Sequence, residues 1–105
     1  MPIINDSITH SSENPSICVP RVFTNVSMSY ISNIFQRDLK LGKIRKIDIV
    51  SNNGDKKFKK VFIHFDHWYD GDQNNAIKNK LLDGKLIKLV HDYPWYWKCA
   101  LNKTG

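Results

Sequence analysis

His64, His67 and His91, with Cys99, are residues of this 105-residue chain whose types could hold a zinc ion. His64 and His67 stand three positions apart, a spacing met in zinc sites. The pair would straddle a strand end, however, and no second pair follows at the spacing a zinc finger needs. Unrelated histidines are the simpler reading. A glycine-rich phosphate loop, a nucleophile elbow and a facing pair of carboxylates are all missing from the sequence. The acidic residues gather in turns. Asp66-His67-Trp68-Tyr69-Asp70 reads as a strand-to-helix connection, with Trp68 or Tyr69 closing the core. The expectation is a binding module with no catalytic site, no metal and no cofactor.

The chemistry the chain does offer is non-covalent. Between Phe58 and Phe65 the residues alternate, with Val61, Ile63 and Phe65 on one side and Lys60, Phe62 and His64 on the other. The second set should lie on an uncovered sheet face. Near the C-terminus, Lys98 should face water and Tyr96 shares its side. Trp95, Trp97 and Cys99 then point toward the core, and a one-residue shift would exchange these roles. Lys46 belongs to the same open face, and Arg21 lies at the end of the first strand. Flat rings beside cations suit a single-stranded polyanion, because rings stack on bases and cations meet phosphates. Taken singly, each lysine is more simply a solvated charge, and Phe62 equally suits contact with another protein.

These residues need a scaffold, and the sequence outlines one. Ile17-Cys18-Val19, bounded by Pro15 and Pro20, reads as a first strand. The hydroxyl residues between Thr24 and Ser29 offer a helix cap. Ile31, Ile34 and Phe35 then follow at helical spacing toward an end near Gly42. Ile44 to Val50 is a second strand. Asn53-Gly54 marks a hairpin turn, and Phe58 to Phe65 is a third strand antiparallel to it. Asp72 caps a second helix carrying Ala76, Ile77 and Leu81, which stops at Asp83-Gly84. Leu86 to Val90 is a short extended run, Asp92-Tyr93-Pro94 turns, and Trp95 to Leu101 is the last strand. The order β-α-β-β-α-β implies an α+β ferredoxin-like sandwich, with a four-stranded antiparallel sheet and two helices on one face. Cys18 and Cys99 then fall on neighbouring strands but opposite faces, which forbids a disulfide.

The segments Ile17-Cys18-Val19-Pro20-Arg21-Val22 and Phe58-Lys59-Lys60-Val61-Phe62-Ile63-His64-Phe65 resemble the six- and eight-residue signatures of the RNA recognition motif. Ile31-Ser32-Asn33-Ile34-Phe35 with Leu41-Gly42-Lys43-Ile44, and Ala76-Ile77 with Leu82-Asp83-Gly84, are similar to that family too. The resemblance spans roughly residues 16–101. More narrowly, Ile17 to Phe23, Val61 to Asp70 and Tyr93 to Lys98 resemble small proteins of large nucleocytoplasmic DNA viruses. The family implies single-stranded RNA lying across the sheet, with three aromatics stacking on bases. Here the first-strand position is Cys18 and the earlier third-strand position is Lys60; Phe62 alone is aromatic. Lys59 stands where the longer signature usually has glycine.

Sixteen basic residues against ten acidic ones give a net charge of +6, which draws polyanions to the chain. Thirteen of the sixteen are lysine, suited to attracting phosphates more than to bidentate reading of bases. Residues 1–15 read as a flexible arm and 16–105 as the domain. No stretch resembles a secretory signal or a membrane span. The expected setting is intracellular, in host cytoplasm or nucleus if the viral resemblance holds. The expected partner is single-stranded RNA, met by Phe62, Lys60, Tyr96, Lys98, Lys46, Arg21 and His64, with weak sequence specificity. The alternative is a protein-interaction or self-association module that has kept the fold and given up RNA.

Overall fold

The computed structural model describes residues 14–51, 54 and 56–102. Most of the expected arm, and Asn53 of the expected turn, lie outside the described residues. The elements are β1 (Ser16–Phe23), α1 (Met28–Asn33) running into a π-helical turn (Ile34–Asp38), β2 (Gly42–Ser51), β3 (Phe58–Trp68), α2 (Asp72–Leu82), β4 (Ile87–Asp92) and β5 (Trp95–Asn102). The strands form one antiparallel sheet in the order β2-β3-β1-β5-β4. The sheet therefore has five strands, one more than the four-stranded sandwich that the sequence order implies. The short run after α2 folds back on β5 as a hairpin and becomes the outer edge.

Strand alternation decides what is buried. Ile17 and Val19 of β1, Val61, Ile63 and Phe65 of β3, and Trp97 and Cys99 of β5 form one core with Ile31, Ile34 and Phe35 of the first helical segment and Leu81 of α2. Both helices thus cover the same sheet face. Burying each such aliphatic or aromatic side chain contributes ~1.5–3 kcal/mol relative to leaving it in water. Phe35, fully buried, stacks on Trp97 with ring centroids 5.9 Å apart.

The helix starts follow local chemistry. Ser27 caps α1, its hydroxyl accepting from the Tyr30 amide at 3.1 Å. The helix ends before Gly42: its last turn widens, with the Leu39 amide donating to the Ile34 carbonyl. Gly42 instead opens β2 opposite Trp68, where a Cβ would collide with the His67 carbonyl oxygen and the Trp68 backbone. Gly71, not Asp72, holds the cap position of α2, and Asp72 lies in its first turn, where a carboxylate complements the helix dipole.

β3 runs three residues beyond its expected end. A bulge against β2 leaves Asp66 unpaired, so Phe65 and Trp68 both turn inward, with centroids 5.0 Å apart. The Trp68 indole N–H donates to the Pro15 carbonyl at 2.9 Å, and its amide donates to Asn14 Oδ1 at 3.1 Å. These two bonds fix the chain as it enters β1.

Candidate functional site

The sheet face away from the helices carries most of the residues singled out above. Register sets them in rows. Asp48 lies opposite Phe62, Phe62 opposite Cys18, and Cys18 opposite Ala100. One row toward the start of β1, Lys46 lies opposite His64 and Ser16 opposite Asn102. In the other direction Lys60 faces Val50, and on the outer hairpin Lys88 faces Lys98 and Val90 faces Tyr96.

His64 is on this face but is 8% exposed. Its Nε2 is 2.9 Å from Asp48 Oδ2 and its Nδ1 is 2.8 Å from Ser16 Oγ. A carboxylate only accepts, so Nε2 carries the hydrogen, and in the neutral ring Nδ1 accepts from the Ser16 hydroxyl. Lys46 Nζ approaches Asp48 Oδ1 at 3.3 Å. Burial works against the Asp48 charge, but the hydrogen bonds from His64 and Lys46 outweigh it and hold the carboxyl below its ordinary value. His64 and Lys46 thus belong to a polar crosspiece joining β1, β3 and β2, with little of His64 left to meet a ligand.

Phe62 is half-buried beside Cys18, while Lys60 and Lys98 are exposed, and among the described residues neither is held by a carboxylate. Tyr96 is exposed, with Lys88 Nζ 4.1 Å from its ring centroid. The two cysteines are free, Cys18 on the open face and Cys99 in the core. Burial pushes the Cys99 thiol up to about 12, and raises that of Cys18 against the opposing pull of Lys60.

Trp95 departs from the expected pattern. Trp97 and Cys99 point inward, but Trp95 is 58% exposed. Pairing between β4 and β5 shifts between Val90 and Asp92, so Trp95 sits at the strand mouth. There it meets Phe23 edge-on at 6.3 Å.

Trp95 borders a feature that alternation alone did not reveal. β1 pairs with β5 over Ser16–Cys18 against Ala100–Asn102. Two residues on, Pro20 has no N–H to donate, and β1 bulges against β3 between Val19 and Val22. Beyond this point β1 and β5 border a cavity of about 680 Å³, with Phe23, Phe58, Trp95, Tyr96, Arg21 and Lys98 in its wall. Phe23 and Phe58 stack at 4.9 Å, and the Arg21 guanidinium lies 4.8 Å from the Phe58 centroid. Behind them, His91 stacks on Trp97 at 4.1 Å, its Nδ1 2.9 Å from the Tyr30 hydroxyl. Burial lowers the His91 pKa, with Asp92 partly opposing. The sequence carried one signal for this cleft, Pro20 shortly after the apolar run of β1; the pairing of Phe23 with Phe58 comes from the register.

Among the described residues no group of three or more His, Cys, Asp or Glu is placed to hold a metal ion, and no helix is long and apolar enough to cross a membrane. Comparison of the chain with family models, curated proteins and solved structures gave no match.

Proposed function

We propose that this chain binds single-stranded RNA across its open sheet face, as a module of the RNA-recognition-motif type. In this reading β2-β3-β1-β5 forms the ferredoxin-like sandwich and β4 is an addition to its edge. The observation that carries the proposal is the sheet face that no described element covers, where Phe62 and Tyr96 lie among Lys60, Lys98 and Lys88. Rings of this kind stack on bases of any sequence, and lysines draw phosphates without reading them. Binding should therefore be weak, salt-sensitive and poorly specific. His64 and Lys46 act here through the crosspiece that stiffens the face.

The test is a titration of fluorescently labelled, mixed-sequence single-stranded RNA against wild type and Phe62→Ala, at low and at physiological salt. Binding that weakens for Phe62→Ala at both salts supports a stacking platform. No binding at low salt, or binding indifferent to Phe62, refutes it. A second reading, association with a protein or a second copy, draws on the exposed Leu86, Val90 and Tyr93 around the outer hairpin. Concentration-dependent sedimentation of the free protein would favour it.

A further inference from the structure

The family's stacking positions on the first and third strands are occupied here by Cys18 and Lys60, so the middle of the open face holds one ring, Phe62. The larger aromatic surface lies one end further along the sheet, in the cleft between β1 and β5. Phe23 and Phe58 form one stacked wall, and Trp95 meets Phe23 edge-on with more than half its own surface exposed. At about 680 Å³ the cleft falls within the roughly 300–1,000 Å³ usual for small-molecule sites. Its charged wall residues are of one sign. Arg21 lies over Phe58 with its donors at the surface, Lys98 stands on the β5 side, and among the described residues no carboxylate pairs with either. Flat apolar walls with cations beside them match a nucleobase and its phosphate. An apolar peptide would use the walls and leave both cations without a partner.

We propose that this cleft is a nucleobase-binding subsite. One base of the bound strand stacks on the exposed Trp95 indole beside the Phe23–Phe58 pair, and its phosphate is met by Arg21 and Lys98. The inference rests on the single-stranded RNA reading above and extends it: the strand runs from Phe62 along β1 and ends in the cleft. The stacking lost at Cys18 and Lys60 is thereby restored at the end of the sheet.

Tryptophan emission tests this directly, because Trp68 and Trp97 are buried and Trp95 is exposed. Adenosine 5′-monophosphate and a short mixed-sequence single-stranded RNA would each be titrated into wild type, Phe62→Ala, Trp95→Leu and Arg21→Gln. Thermal melts would establish that the surface variants remain folded. Both probes should quench wild-type emission, and the mononucleotide should still quench Phe62→Ala but not Trp95→Leu. RNA affinity should fall roughly 5- to 150-fold in Trp95→Leu, the range for loss of one stacked base. In Arg21→Gln the slope of log affinity against log salt should shrink by ~0.7, one phosphate contact on a single strand.

If RNA binding depends on Phe62 while Trp95→Leu binds as wild type and no probe changes the emission, the cleft proposal is overturned and the open-face reading survives. Should the mononucleotide quench through Trp95 while RNA fails to bind, the cleft stands as a nucleotide site and the strand-binding reading falls. Absence of both signals overturns both.

Discussion

On the proposed reading of the open face, replacing Cys18 by Phe should tighten the binding of single-stranded RNA. Cys18 is half-buried on the open face, with Phe62 opposite it on β3 and Ala100 opposite it on β5. A ring at position 18 would have the small Ala100 side chain on one flank and Phe62 on the other. Cross-strand aromatic pairs contribute about 0.2–1 kcal/mol relative to alanine pairs, so the substitution should leave the fold intact. It would also give RNA a second stacking platform. One stacked base is worth ~1–3 kcal/mol, which tightens binding by roughly 5- to 150-fold. No charge changes, so the tightening should be the same at low and physiological salt, and the salt slope should stay that of wild type. The assay is fluorescence anisotropy of a labelled single strand over a salt series, paired with a urea melt of the variant. A folded Cys18→Phe protein with unchanged affinity would refute the reasoning, because an added ring on a working platform must be felt. Tightening that vanishes at physiological salt would also refute it, by tracing the gain to charge.

Three further outcomes follow from the geometry. Lys60→Ala and Lys98→Ala should each reduce the salt slope of RNA binding by ~0.7 and leave the melting temperature near wild type, as anisotropy and a thermal melt would register. Trp68→Phe removes the indole donor from the buried bond to the Pro15 carbonyl, and should cost ~1–3 kcal/mol in urea unfolding. Burial against Trp97 lowers the His91 pKa, so the unfolded chain takes up this proton near pH 6.5 while the folded chain resists to lower pH. Stability from this group is full above that value and falls as pH drops through it; urea midpoints of His91→Phe should lack that part of the decline.

What could be read from the sequence was what depends on short-range period. Alternation set Phe62 and His64 on one face and Val61, Ile63 and Phe65 on the other, and helical spacing found Ile31, Ile34 and Phe35. Partners distant along the chain were not legible. His64 is withdrawn from solvent by Ser16 and Asp48, brought to it by two different strand registers. Trp95 follows its strand's parity in sequence, but it lies at the register shift between Val90 and Asp92 and is more than half exposed. Strand ends failed for the same reason. β1 continues past Pro20 because a bulge accommodates the missing donor, and β3 continues past Phe65 because a bulge absorbs Asp66. Neither bulge has a local signature as strong as a turn dipeptide.

The short pairing between β1 and β5 also sets how the domain should come apart. Among the described residues three pairs join the outer hairpin to the other strands, so the hydrogen-bonded sheet is nearly two sheets meeting at a seam. Such a seam is where a cooperative unit should open first, and the β4–β5 amides should exchange with solvent through that local opening before the protein unfolds as a whole. A base held in the cleft would touch both sides of the seam. It would therefore raise the opening free energy of the hairpin more than that of β2 or β3, and occupancy would be recorded as slowed exchange in residues that never touch the ligand.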